Sequence, residues 1–373
     1  MGGEWSMRRY AKSFFVSLPI ALIGIIAVRF ISCKSELSSE PIIGPQWVVF
    51  NTSNSVLKSN VINCITVDRR GDVWMATNVG AYSYSILTHN WSRYIDSLYS
   101  WTYFPAPAKT WIVNAVTFMK DGGVWFGLPN GDLVRFNEFA VNDAFWKRYV
   151  DSTYYGSPVY SMDAVRPDWS VYGEMWVGTQ SGIKRFVQSG PEGVGIWVGY
   201  SSSLLPNNRI LSTRLNQIDN TIWFGADYNA GIFQVQYQPS FEILHGSYPF
   251  GSITRTNTVA FDSSGIVWLG QADGIHTLNV SSKVWRFYST ESTGYQLPGG
   301  EIHALETDYR ATRWFGTDSG LVRLADTTWT KFTTRNSPLP DNHISYLRYD
   351  PWGNLWIGTG NGIAIYNAAG TRL

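Results

Sequence analysis

From about residue 45 onward the chain is a succession of short runs in which apolar and polar residues alternate, each bounded by Gly, Asn, Asp or Ser. Alternation with period two is the pattern of half-buried strands. One arrangement recurs. An alternating run ending in Asp, such as Ile62-Asn-Cys-Ile-Thr-Val-Asp68 or Ile344-Ser-Tyr-Leu-Arg-Tyr-Asp350, enters a turn closed by Gly71 or Gly353. A Trp-centred strand follows, and then a Gly turn such as Thr317-Asp-Ser-Gly320. A third strand comes next, as in Gly320-Leu-Val-Arg-Leu324. The fourth is headed by another aromatic, as in Trp146-Lys-Arg-Tyr149 or Trp329-Thr-Lys-Phe332.

The Trp-centred phrase appears seven times, at Trp74, Trp125, Trp176, Trp223, Trp268, Trp314 and Trp356. The copies are about 42–51 residues apart, the period of a four-stranded propeller blade. The expected fold is therefore all-β, a seven-bladed propeller of four-stranded antiparallel blades over residues 45–373. The last repeat runs out of chain before its fourth strand, while Trp47-Val-Val-Phe50 precedes the first repeat and belongs to none. The N-terminal strand is thus expected to complete the last blade and close the ring, leaving no long exposed edge. At this register the seven tryptophans are expected to pack between neighbouring blades, and the Asp-x-x-Gly elements to be turns.

Residues 1–33 read differently. Arg8, Arg9 and Lys12 precede an apolar run from Phe14 to Val28, too short for a bilayer span of about 20 residues and laid out as a secretory signal. Its end, Phe30-Ile31-Ser32-Cys33, resembles a lipoprotein cleavage box, which implies lipidation of Cys33 and a cell-envelope location, at the outer membrane or cell surface; an ordinary signal peptide would instead make the protein periplasmic or secreted, and residues 34–44 would be a linker. The remaining cysteine, Cys64, permits neither a disulfide framework nor a metal motif.

Composition sharpens the picture. Aromatic residues make up 16% of the chain and charged residues only 15%, with a net charge of +1. No basic block exists to track phosphates, so nucleic acid is excluded as a partner on charge. The chain lacks a hydrolase elbow, a phosphate loop, a His-Glu zinc motif and a dinucleotide fingerprint. No catalytic residue, metal or other cofactor is assigned.

The phrase Asp-x-x-Gly-x-x-Trp-x-Gly-Thr-x-x-Gly, led by Leu205-Pro-Asn-Asn-Arg-Ile210 and Leu339-Pro-Asp-Asn-His-Ile344, resembles the two-component regulator propeller repeat. That family builds the extracellular sensor region of hybrid two-component systems, many of which detect oligosaccharides. The resemblance implies a monomeric, non-catalytic envelope module without kinase or output domain, which binds an oligosaccharide, a peptide or a partner protein and meets the membrane only through its lipid. A likeness to propeller lyases that open cyclic peptides implies the alternative, an enzyme acting on a cyclic peptide or glycan with a divalent metal at a Glu301/His343 arc.

Two places stand out as ligand-binding candidates. The residues just before the first strand of the last four repeats are Arg209, Arg255, Glu301 and His343, with His303 close by, and in a propeller that position lies at the mouth of the central channel. The long segment after Ile95 carries Trp101 and Tyr103 with no strand pattern to bury them, an arrangement suited to a sugar face.

Overall fold

The computed structural model describes residues 44–94, 112–137, 146–149, 157–165, 172–190, 193–200, 209–216, 221–227, 232–235, 241–243, 255–308 and 310–373. The chain divides into two compact units, Met1–Ser39 and Glu40–Leu373, and every described residue lies in the second. Among the described residues the regular elements are all β-strands, and the fold is a β-propeller. Six blades are each made of four consecutive antiparallel strands, the first being Ile62–Val67, Val73–Thr77, Gly80–Ser85 and Asn90–Arg93. A further four-stranded sheet joins Trp47–Phe50 to Gly362–Tyr366, which pairs with Leu355–Thr359 and that in turn with Ile344–Tyr349.

Burial follows the order of strands within a blade. The first three strands of the Trp74 blade are almost wholly buried, while the fourth is largely exposed. Each repeated tryptophan is buried and faces an aromatic ring of the next sheet, with centroids between 5.1 and 6.1 Å apart, as in Trp176 with Phe224 and Trp268 with Phe315. The repeated rings are thus mortar between sheets.

The other letters of the repeated phrase have equally local causes. The Asp of the first turn accepts backbone N–H groups on one carboxylate oxygen and, at Asp68, Asp262 and Asp350, the indole N–H of the following Trp on the other. Met119 occupies that turn position before Trp125, and the Trp125 Nε1 finds no partner. The Gly of Trp-x-Gly lets sheets approach: a Cβ on Gly316 would lie 2.7 Å from Ile344 Cγ2, and one on Gly358 2.9 Å from Ile62 Cγ2. Gly316→Val is accordingly expected to cost about 1–3 kcal/mol by overpacking, read as a lower urea midpoint. An unchanged midpoint would mean that the sheets have room to part.

Trp352, left unexplained by the repeat, is also architectural. It packs against the cluster built on the first repeat and covers Gly71. Trp5, Trp101, Trp111 and Trp169 lie outside the described residues.

Candidate functional site

Six first strands carry an irregularity near their start, between Ile62 and Cys64, Val159 and Ser161, Ile210 and Ser212, Thr256 and Thr258, Ile302 and Ala304, and Ile344 and Tyr346, whereas Ala115–Phe118 pairs without one. A bulge re-aims one side chain out of the ladder. Here the bulged residues are Asn63, Tyr160, Leu211, Asn257, His303 and Ser345. Several of them latch one sheet to the next. Asn63 Nδ2 donates to the Val113 carbonyl (2.8 Å), Asn257 Nδ2 to that of Ile302 (3.2 Å) and Ser345 Oγ to that of Ile62 (2.5 Å).

The same rim holds the residues picked out before the first strands, and the structure brings them into one chain of charges. Arg209 Nη1 lies 3.0 Å from Asp227 Oδ2 and sits over the Tyr160 ring at 5.1 Å. Arg255 stands between Asp227 (3.9 Å) and Glu301 (3.6 Å), and Asn257 Nδ2 donates to Glu301 Oε2 at 3.2 Å. His303 Nδ1 is 3.9 Å from Glu301 Oε2. On its other side, His303 Nε2 and His343 Nδ1 both donate to Asp318 Oδ1, each at 2.8 Å, with the imidazoles edge-to-face at 5.0 Å. Burial alone would raise the Asp318 carboxyl, but hydrogen bonds from His343 and His303 outweigh it and hold the group below the usual carboxylate range.

A cavity of about 230 Å³ opens here, lined by Tyr160, Leu211, Arg255, Asn257, His303, His343 and Ser345. Deeper, a second cavity of about 140 Å³ is bounded by Arg214, Cys64 and Tyr346 among others. Its floor is self-satisfied. Arg214 pairs with Glu306 at 3.3 Å and lies 5.9 Å from the centre of the Tyr346 ring, while burial raises the Cys64 thiol. The upper cavity therefore offers a ligand one guanidinium, two imidazoles, amide and hydroxyl hydrogen-bonding groups and one aromatic side chain.

Arg209, Arg255, Glu301, His303 and His343 thus share one rim. Trp101, Tyr103 and Cys33 lie outside the described residues. Sequence reading missed Asp227, Asp318, Tyr160 and Asn257. The signal for the two acids was the position that follows the Trp strand, after Gly225-Ala226 for Asp227 and after Gly316-Thr317 for Asp318. That turn residue meets the bulged residue of its own blade in Asn63–Asn78 (3.0 Å), Tyr160–Gln180 (2.6 Å) and His303–Asp318.

The chain resembles several known proteins. The model of the two component regulator propeller matches residues 56–79 and 338–361, each running from the rim turn through the first and second strands. Histidine kinase P4 of Formosa agariphila is 22% identical over 270 residues, and the match covers 69% of this chain and 19% of that kinase. The extracellular domain of a putative one component system from B. thetaiotaomicron aligns with a TM-score of 0.65 and 21% identity over 86% of this chain and 40% of the other. Virginiamycin B lyase from Staphylococcus aureus aligns at 0.62 and 15% identity, over 86% of this chain and 98% of the lyase. The chain spans about a fifth of the length of the curated relative and two fifths of that extracellular domain. At these identities the structural matches establish the fold. The family model, in turn, shows two-component regulator propeller repeats in this chain at residues 56–79 and 338–361.

Proposed function

We propose that the protein is a non-catalytic, exported binding module whose channel mouth takes up a small polar ligand, an oligosaccharide or peptide end. The observation that carries this reading is the rim itself. Arg255, His303 and His343 line a cavity, and Arg209, Asp227, Glu301 and Asp318 join them in one run of contacts along the rim. Surface ion pairs add little to stability, typically 0–1 kcal/mol, so folding alone does not require this concentration of charge. In this reading the sheet containing Trp47–Phe50 is the seventh blade, and the N-terminal strand closes the ring. Supporting it, first strands abut in succession from Ile62–Val67 round to Ile344–Tyr349, which abuts Ile62–Val67 again. The signal-like residues 1–33 and the extracellular character of the sensor relatives support export, with Cys33 as the lipid anchor. Among the described residues no helix is long and apolar enough to cross a membrane. We place the module as a monomer at the outer membrane or cell surface.

A glycan and peptide array probed with the purified full chain tests the reading. Binding is expected, and Arg255→Ala should weaken it at least tenfold while Trp101→Ala/Tyr103→Ala locates any contribution of the long segment. Full binding by Arg255→Ala would move the site away from the mouth.

A second reading, a lyase acting on a cyclic peptide, is favoured by one observation. A catalytically inactive histidine variant of virginiamycin B lyase, solved with quinupristin, shares the fold at a TM-score of 0.59, and this chain places two histidines at the mouth. Conversion of a cyclic peptide to a linear product by the wild type but not by His303→Ala would establish it in place of the first.

A further inference from the structure

The His303 side chain, like those of Asn63 and Tyr160, meets the turn residue of its own blade. At the bulge, Asn63, Asn257 and Ser345 hydrogen-bond to the adjacent sheet, whereas His303 turns along the rim to Asp318. His343, from the turn before the next first strand, reaches the same carboxylate oxygen. Three donors from separate chain segments therefore converge, and their ligand atoms all lie within 4.8 Å of one another. Two imidazole nitrogens sharing one carboxylate oxygen at hydrogen-bond distance need only small torsional adjustments to surround an ion at about 2.0–2.1 Å. Their N–H protons are what a metal ion would replace.

We propose that His303, Asp318 and His343 form a three-ligand site for a divalent first-row transition-metal ion of the Zn²⁺ class, with its remaining coordination open toward the channel mouth. The inference does not rest on the binding function proposed above. The choice of metal follows from the donors: imidazole suits Zn²⁺ and its first-row neighbours, whereas Mg²⁺ and Ca²⁺ take oxygen ligands. Binding through His303 Nε2 leaves its Nδ1–H 3.9 Å from Glu301 Oε2, within reach of a hydrogen bond after a small side-chain rotation. Glu301 is itself held by Asn257 and Arg255. A carboxylate behind a metal-bound histidine orients the ring and raises its basicity. The site is graded in exposure, with His303 22%, His343 48% and Asp318 52% exposed. The ion would therefore be anchored on the inner side and open on the outer, the arrangement that leaves a position for an exchangeable ligand. A carboxylate or hydroxyl group entering the mouth is the chemistry such a position accepts.

The test is calorimetric titration of the untagged full chain with ZnCl₂ at neutral pH, beside His303→Ala, His343→Ala, Glu301→Gln and His89→Ala. One ion per chain is expected to bind with micromolar or tighter affinity, and MgCl₂ should give no saturable binding. His303→Ala and His343→Ala should each weaken zinc by at least tenfold, and Glu301→Gln by about tenfold. His89→Ala, an exposed histidine elsewhere, should bind as wild type does. The metal-free unfolding midpoint of every variant is measured alongside. Because His343 is half exposed and precedes its strand, its variant keeps the test decisive if His303→Ala does not fold. Equal zinc affinity in wild type and His343→Ala, or no saturable zinc binding by the wild type, overturns the proposal. Zinc is the only probe, so failure on the glycan array leaves this result standing and the reverse also holds.

Discussion

Removal of residues 44–52 is expected to destabilise the whole propeller in one step, not to trim its edge. Trp47, Val48, Val49 and Phe50 pair antiparallel with Tyr366, Ile365, Ala364 and Ile363. Their rings also reach sheets on both sides: Trp47 meets Phe332 at 5.6 Å, and Phe50 meets Trp91 at 5.2 Å and Tyr84 at 5.7 Å. The strand therefore joins the beginning of the chain to its end and ties that sheet to two others. Truncating one large buried aromatic commonly costs about 3–5 kcal/mol, and this deletion removes two partly buried rings and a strand ladder. A domain's whole stability is about 5–15 kcal/mol. The deletion also bares the Gly362–Tyr366 edge to intermolecular pairing. Urea unfolding followed by tryptophan fluorescence should show one transition moved to a much lower midpoint, or no folded baseline at all. A truncated chain that unfolds at the wild-type midpoint would refute closure of the ring by this strand.

Asp350→Ala should be the most damaging single substitution among the repeat turns, at about 3–5 kcal/mol. One Asp350 oxygen accepts the Trp352 and Asn354 backbone N–H groups at 3.0 and 2.9 Å. The other takes Asn354 Nδ2 at 2.7 Å and Trp356 Nε1 at 2.9 Å. Asn354 and Trp356 are fully buried, and each buried donor left without a partner costs about 1–3 kcal/mol.

The loss should depend on pH, with a sign set by burial. Desolvation raises the Asp350 pKa despite its hydrogen bonds to Trp356 and Asn354. The folded protein thus holds this proton above the unfolded value of about 3.9. The stability contributed by that protonation is fully present below the unfolded value and is lost as pH rises through the folded one. Alanine has no such dependence, so the deficit of Asp350→Ala should be largest in acid and narrow as pH rises through that window. Urea midpoints of the two proteins from acid to neutral pH check this. A deficit that widens instead would mean that the charged carboxylate is the favoured form in the fold. Asp262, the same turn position in another blade, behaves oppositely. Burial would raise its pKa, but hydrogen bonds from Ser264, Arg313 and Trp268 outweigh it and lower it. Arg313 lies 2.8 Å away, and Asp350 has no such cation among its hydrogen-bond partners.

The blades were legible because every part of the repeated phrase meets a need inside one four-stranded sheet or against its nearest neighbour. Asp68, Asp262 and Asp350 hold a turn and an indole, Thr317 Oγ1 donates to the Gly320 carbonyl across the next turn (2.8 Å), and Gly316 clears space for Ile344. Needs of that range recur at a fixed spacing, and the spacing is visible. The candidate site was legible only in part. Arg209, Arg255, Glu301 and His343 were found because they share one repeat position, and position within a repeat maps to height on the propeller. Asp227 and Asp318 escaped because they sit in turns that otherwise carry ordinary turn residues such as Asn78 and Gln180.

By itself, then, the sequence determined an all-β chain of propeller repeats, with tryptophans between the sheets and a polar rim before the first strands. The tertiary structure decided which rim residues meet. His303 and His343 are forty residues apart in the chain, and only the apposition of two sheets, with a bulge turning His303 along the rim, puts both on one oxygen of Asp318. Repeat periodicity records contacts that every blade makes alike. A site assembled from unlike residues of different blades has no period, so three-dimensional packing alone brings it together.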